Sequence, residues 1–170
     1  KRGGIESDLT ITRLAENRFM AVTAAACQVR ELAWIKDNLS PDARVAAVDV
    51  TSGFGVLSVM GPRSRELLQK VSTADFSNEA FPFGTAQEIE IGYGKAHALR
   101  VTYVGELGWE LYVPTEFMQD VFDLIERAGQ GLGLKLAGYH ALDSLRSEKG
   151  YRHWGHDISP GDTPLEAGLG

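Results

Sequence analysis

The sequence is poor in cysteine, in positive charge and in long apolar runs. Its single cysteine, Cys27, cannot form an internal disulfide, which favours a reducing compartment; we interpret it as a small buried hydrophobe. No apolar run approaches the roughly 20 residues that span a bilayer, and no signal-peptide pattern is present. With 17 Lys and Arg against 23 Asp and Glu, the net charge is −6, and no basic stripe carries interleaved aromatics. We therefore expect no nucleic-acid partner and no membrane partner.

Two further absences concern the polypeptide to which this chain belongs. It begins at Lys1 without an initiator Met and stops at Gly170, so we expect an excised piece of a longer polypeptide. It also lacks a Gly-x-Gly-x-x-Gly fingerprint for dinucleotides, so any FAD is expected to belong to an upstream domain.

Hydrophobic periodicity predicts short strands and amphipathic helices in irregular order. A content of 44% hydrophobic and 24% charged residues is ordinary for a globular domain, and 170 residues suffice for one sizeable core. Strands pair locally and helices interrupt them without strict alternation, which predicts an α+β fold of mainly antiparallel sheets with packed helices. Strand patterns cover residues 9–14, 18–23, 45–50, 56–60, 86–91, 96–103 and 111–113, and helical patterns cover about 29–39, 62–71, 117–128 and 139–149.

The most informative stretch is residues 100–114, Arg-Val-Thr-Tyr-Val-Gly-Glu-Leu-Gly-Trp-Glu-Leu-Tyr-Val-Pro. Two strand-like runs flank a glycine-containing turn, which places Glu106 and Glu110 at or beside a strand end. A carboxylate there can accept two parallel N–H donors from a planar ligand. Tyr103 and Trp109 are candidates for the flat walls of a pocket. The alternative is a hairpin with solvated glutamates and two core aromatics.

Two other segments complete a recognisable pattern. The chain opens with Gly-Gly-Ile-Glu-Ser-Asp-Leu at residues 3–9, and it closes with an Asp-, Arg- and aromatic-rich motif at 139–158. Together with the central turn, these segments resemble the folate-binding aminomethyltransferase family, whose best-known member is the T-protein of the glycine cleavage system. The pattern is closest to the folate domain of dimethylglycine and sarcosine dehydrogenases, and it covers residues 1–170.

The resemblance implies a T-protein-like folate-binding domain over residues 1–170, with a flavin domain and a C-terminal barrel outside the chain. It implies that tetrahydrofolate captures a one-carbon unit from an oxidised N-methyl amine, as an iminium or formaldehyde, to give 5,10-methylenetetrahydrofolate. A bacterial protein of this kind would be cytoplasmic, and a eukaryotic one would lie in the mitochondrial matrix. Two alternatives stay open: a non-catalytic regulatory or binding module of the same fold, and a free-standing aminomethyltransferase of the glycine cleavage system.

The resemblance also assigns roles to single residues. Asp8, which by itself would be an exposed turn acid or a cap, matches the family's acid beside the N5–N10 edge of tetrahydrofolate. Glu110 matches the glutamate that clamps the pterin ring, and Tyr103 matches a ring-packing tyrosine. Tyr151 and Trp154 are expected to line the folate or the channel beside it.

Three further features are an arginine, a histidine cluster and an alanine in place of an asparagine. Arg146 belongs either to a solvated helical charge run or to the folate site, where it would orient carboxylates or meet the ligand's glutamate tail. His153, His156 and Asp157 have a metal-like spacing, but no thiolate or distant third partner accompanies them, so we predict no metal. Ala24 stands where T-proteins carry an asparagine, which favours the dehydrogenase-linked branch.

Overall fold

The computed structural model describes residues 3–169, which divide into two compact units. The first unit consists of the described parts of Lys1–Val50 and Arg152–Gly170, and the second is Thr51–Tyr151.

The first unit is built on one hairpin and one helix. Strands β1, Thr10–Ala15, and β2, Arg18–Val22, pair antiparallel across a two-residue turn, as the alternation predicted. Helix α1, Gln28–Asp37, follows a short 3₁₀ turn. The apolar periodicity that predicted this helix does not match its burial throughout, because Val29 is 81% exposed whereas Glu31 is buried.

The strand predicted over residues 45–50 is wrong. This segment is irregular, and its valines, Val45, Val48 and Val50, are all exposed. Alternation marked it as a strand, but a strand forms only where a neighbouring strand takes up its backbone hydrogen bonds.

The second unit is a four-stranded antiparallel sheet with helices. The strands are β3, Phe54–Met60; β4, Ala86–Ile91; β5, Gly94–Leu99; and β6, Gly108–Pro114; the helices are α2, Ser64–Val71; α3, Met118–Gly129; and α4, Tyr139–Glu148. The strand order is β3-β6-β5-β4, so β3 and β6, the first and last strands of the sheet in the chain, pair with each other. These antiparallel sheets with packed helices confirm the α+β fold class.

One face of this sheet carries the hydrophobic core. Because side chains alternate along a strand, Trp109, Leu111 and Val113 of β6 share this face, and all are fully buried. The stripe predicted for α2 and the apolar residues of α3 join the same cluster. The core also includes Val59, Leu67, Leu68, Val71, Phe76, Phe81, Ile89, Ile91, Ala96, Ala98, Val121, Ile125 and Leu132.

Trp109 belongs to the core, so of its two interpretations the core aromatic holds and the ligand-facing wall does not. Phe76 and Phe81 meet its ring edge-on, with centroids 5.2 and 6.1 Å away. The guanidinium carbons of Arg65 and Arg100 lie 5.9 and 5.5 Å from its centroid. The indole is therefore held by aromatic and cation–π contacts from several directions.

The strand predicted over residues 96–103 ends at Leu99, and residues 100–107 form a loop before β6. Within this loop Gly105 has a φ of +69°, in the left-handed region that side-chain-bearing residues avoid. A Cβ at this position would also come within 2.5 Å of the Lys149 side chain. The loop packs against the end of α4, and it connects β5 to β6, which pair antiparallel.

Within residues 3–169, no helix combines the length and the apolarity that crossing a lipid bilayer requires.

Candidate functional site

Glu110 lies on the sheet face opposite the core. Its strand, β6, is central, and the register places Ser58 of β3 and Leu99 of β5 on either side of it. Its neighbours along the strand, Trp109 and Leu111, point into the core, which leaves Glu110 half-buried on the second face. A rigid central strand therefore presents the carboxylate, as the sequence predicted for a strand-borne acid.

Tyr112 is the partner that fixes this carboxylate. Residues two apart on a strand share a face, and the Tyr112 hydroxyl donates a 2.6 Å hydrogen bond to Oε2 of Glu110. Burial raises the pKa of Tyr112 well above its ordinary value, and the hydrogen bond to Glu110 adds to the rise. The phenol is therefore a permanent donor at physiological pH. Sequence reasoning missed this residue, although its spacing from Glu110 was visible.

A second group forms where the 100–107 loop meets the end of α4. The rings of Tyr103 and Tyr151 lie 6.2 Å apart between centroids, at an interplanar angle of 41°. Lys149 forms an ion pair with Glu106 at 3.2 Å, which holds the loop to the helix end. The structure thus brings together two tyrosines that the sequence assigned to the folate pocket, although neither lies on a strand.

Arg146 is buried, being only 5% exposed, so the alternative of a solvated charge run is wrong for this residue. Its Nε and Nη2 donate to Oδ1 of Asp143 at 2.8 and 2.5 Å, and its Nη1 donates to the Tyr151 carbonyl at 3.1 Å. These bonds position the Tyr151 backbone next to the helix. A direct contact between Arg146 and folate stays a prediction.

In the first unit, Asp8 is exposed and follows a firmly anchored segment. The Ile5 N–H donates to the Asp162 carbonyl at 2.9 Å, and the Ile5 carbonyl accepts a 2.8 Å bond from the Trp154 indole. Gly4 passes so close to Pro160 that an added Cβ would lie 1.9 Å from its carbonyl oxygen. The residues before Asp8 are therefore tied to the 154–162 segment by backbone contacts.

Arg30 of α1 reinforces this anchoring. Its guanidinium carbon lies 4.8 Å from the centre of the Trp154 ring, and its Nη2 donates to the Glu6 carbonyl at 2.8 Å and also to the Glu6 carboxylate. Its Nη1 meets the buried carboxylate of Glu31 at 2.5 Å. Sequence reasoning missed Arg30, because a single helical arginine gives no signal of the residues that it will contact.

The histidine cluster is a local structure. His153 and His156 stack with centroids 5.4 Å apart, and Asp157 accepts a hydrogen bond from the His153 backbone N–H. Among the residues that the structure describes, no three His, Cys, Asp or Glu side chains are grouped so as to hold a metal ion.

The chemistry of these groups suits a planar heterocycle with two adjacent N–H donors. An ionised carboxylate offers about four lone-pair positions, and the Tyr112 hydrogen bond uses one of them, so each oxygen of Glu110 keeps a position for a further donor. The tyrosine pair offers apolar ring faces. These groups lie in the second unit, whereas Asp8 and Trp154 lie in the first. The convergence of Asp8, Tyr103 and Glu110 on one cavity stays a prediction.

Comparison with known proteins points to one family. The family model described as GCVT N-terminal domain matches residues 1–170. The chain is 51% identical to 4-methylaminobutanoate oxidase (formaldehyde-forming) of Paenarthrobacter nicotinovorans and 43% identical to mitochondrial sarcosine dehydrogenase of Mus musculus. Each match covers 99% of this chain and 20% of the relative, so the chain spans about a fifth of their length.

Solved structures agree with this result. The glycine cleavage system aminomethyltransferase T from Bartonella henselae is similar with a TM-score of 0.75 and 30% identity. The similarity covers 99% of this chain and 43% of that one. The fold and the sequence therefore agree that this chain belongs to the GCVT N-terminal domain family.

Proposed function

We propose that this chain binds tetrahydrofolate and captures a one-carbon unit from an oxidised N-methyl amine, giving 5,10-methylenetetrahydrofolate. In this proposal residues 1–170 form the folate-binding part of a longer enzyme, which carries a covalently linked flavin domain upstream. The bacterial form would act in the cytoplasm and a eukaryotic form in the mitochondrial matrix.

The observation that carries the proposal is the Glu110 carboxylate on the second face of the sheet. It is half-buried on a central strand, and the Tyr112 hydroxyl orients it. A pterin ring has an N3–H beside a 2-amino group, and two parallel donors of this kind match a carboxylate in bidentate fashion. Glu110 would therefore fix the position and the in-plane orientation of the ring.

The remaining residues would complete the pocket. Tyr103 and Tyr151, whose rings pack 6.2 Å apart, would provide apolar faces for the flat ligand. Arg146 would act by holding the Tyr151 backbone, which its Nη1 contacts at 3.1 Å. Trp154 would hold the opening segment through the Ile5 carbonyl, which keeps Asp8 in place.

Asp8 would move a proton at the reacting nitrogens. A carboxylate takes up and returns protons during carbon–nitrogen bond formation if it lies within hydrogen-bond reach of the nitrogen. Tetrahydrofolate, when bound, supplies the N5 and N10 nitrogens that receive the carbon. The protein's main contribution would be orientation and effective concentration, which together account for large rate gains in reactions between two bound partners.

The source of the carbon is suggested by the relatives. The oxidase that is 51% identical is described as formaldehyde-forming and acts on 4-methylaminobutanoate, and the mouse relative is a sarcosine dehydrogenase. Both names specify an N-methylated amino acid. We therefore favour an N-methyl amino acid as the carbon source for the protein that contains this chain.

Calorimetric titration of tetrahydrofolate into the full-length protein tests the proposal. Glu110→Ala should weaken binding by about 1.5–3 kcal/mol, the range for a hydrogen bond to a charged group. The matched control is Glu116→Ala, which removes an exposed glutamate from the 3₁₀ turn after β6 and should leave affinity unchanged. Absence of binding by the wild-type protein would refute the proposal, and equal affinities of the wild type and Glu110→Ala would remove Glu110 from it.

A further inference from the structure

The environment of Tyr112 points to a function beyond packing. Its side chain is 4% exposed, so the ring is immobilised on the second face of the sheet. The register places Val56 of β3 and His97 of β5 beside it. Its hydroxyl reaches along the strand to Oε2 of Glu110 at 2.6 Å, a short bond of the charge-assisted kind.

We propose that Tyr112 is a positioning residue that sets the orientation of the Glu110 carboxylate for ligand binding. The inference rests on the proposed function, because that function makes Glu110 a ligand-binding residue.

The physical reason lies in the freedom of a glutamate side chain. The terminal torsion of Glu is broad and roughly two-fold, so a free carboxylate samples many orientations. Ordering such a side chain on binding costs conformational entropy and weakens affinity. A carboxylate that is already fixed in the unbound protein avoids this cost. The Tyr112 hydroxyl supplies the constraint from a buried ring and leaves acceptor positions on both oxygens.

The charge state of Tyr112 suits this role. A phenol that ionised would repel the carboxylate and release it. Burial, and then the bond to Glu110, raise the pKa of Tyr112 above its ordinary value, so the hydroxyl keeps its proton at neutral pH. The donor is therefore constant and does not act as a switch.

A double-mutant cycle on tetrahydrofolate affinity separates positioning from structural support. The full-length protein would be titrated as wild type, Tyr112→Phe, Glu110→Ala and the double variant. Phe keeps the buried ring and removes only the hydroxyl. We expect Tyr112→Phe to weaken binding about 3- to 10-fold, as for the loss of one hydrogen bond, and to have no effect in the Glu110→Ala background.

The control is Tyr93→Phe, the same change on a tyrosine that is 94% exposed in the turn between β4 and β5, and it should leave affinity unchanged. Equal losses from Tyr112→Phe in both backgrounds would mean a structural role and overturn the inference. No loss from Tyr112→Phe beside a clear loss from Glu110→Ala would overturn the inference and leave the proposed function standing. If Glu110→Ala alone leaves the affinity unchanged, both the pterin-binding role of Glu110 and the positioning role of Tyr112 are overturned.

Discussion

Trp154 donates its indole N–H to the carbonyl oxygen of Ile5, which lies 149 positions earlier in the chain, at 2.8 Å. The bond ties the opening segment of the first unit to its closing segment, three residues before Asp8. Sequence reasoning expected Trp154 to line a ligand pocket, and the structure adds this backbone partner. The tryptophan therefore contributes to the placement of the segment that carries the proposed acid.

Replacing Trp154 by Phe should loosen this segment. Phe keeps a ring beneath Arg30 but leaves the Ile5 carbonyl without its donor, at a cost of about 1 kcal/mol. Hydrogen exchange at the backbone amides around residues 5–8 should therefore accelerate about fivefold in the full-length protein. Trp34→Phe, at a position that is 47% exposed on α1, is the matched control and should leave these amides unchanged. Unchanged exchange in Trp154→Phe would show that the bond does not hold the segment.

Trp109 should be essential for stability. It is fully buried between Phe76 and Phe81, so Trp109→Ala removes a large side chain from a close-packed core. Such truncations cost about 3–5 kcal/mol. Native-state hydrogen exchange of the β5 and β6 amides should report a loss of this size, whereas Trp34→Ala should have little effect. A stable Trp109→Ala protein with weakened folate affinity would instead restore the ligand-wall interpretation.

The pH dependence of the free energy of unfolding should show that the pKa of Tyr112 is raised in the folded protein. The pKa of Tyr112 is raised in the folded state above its ordinary value of 10.0, so the folded protein keeps a proton that the unfolded chain loses. The contribution of protonated Tyr112 to the free energy of unfolding is therefore complete below about pH 10 and declines as the pH rises above that value.

Urea unfolding of the wild type and Tyr112→Phe should be compared over about pH 8 to 11. The stability advantage of the wild type over the variant should shrink at the alkaline end, because only the wild type has the Tyr112 proton to lose. An advantage that grows with pH in this range would contradict the raised pKa.

Much of the architecture follows from local patterns. Alternation located the β1–β2 hairpin and strands β3 and β4. Helical spacing located α2 and α3, because each of these helices buries one apolar face in the core of the second unit. The segment at 45–50 shows the limit of this reasoning. Its pattern is that of a strand, but pairing depends on a neighbour that the pattern does not contain.

The site residues also fall into those that the sequence located and those that it did not. Glu110 could be placed on a strand from its neighbours alone, and the resemblance supplied its proposed role as the pterin clamp. Tyr112 was missed although its two-residue spacing from Glu110 on a strand places both on one face. Arg30 could not be found, because its contact with Trp154 depends on packing between segments far apart in the chain. The two interpretations of Arg146 stayed open at the level of sequence, because its burial depends on what lies across from the helix.

Asp8 provides the most direct test of the central claim that this chain captures a one-carbon unit on tetrahydrofolate. The full-length protein would be supplied with an N-methyl amino acid and tetrahydrofolate, and 5,10-methylenetetrahydrofolate and free formaldehyde would be measured in the same preparation. Asp8→Asn keeps the size of the side chain but cannot take up a proton at neutral pH. Asp42→Asn, at an exposed acid beyond α1, is the matched control.

We expect Asp8→Asn to bind tetrahydrofolate normally and to form 5,10-methylenetetrahydrofolate about 10²–10⁴-fold more slowly after subtraction of the uncatalysed condensation. Amine oxidation at the separate flavin should continue, so free formaldehyde should rise as captured carbon falls. Capture at the wild-type rate by Asp8→Asn would contradict the role of Asp8. Wild-type protein that forms no more 5,10-methylenetetrahydrofolate than the uncatalysed reaction would contradict the account as a whole.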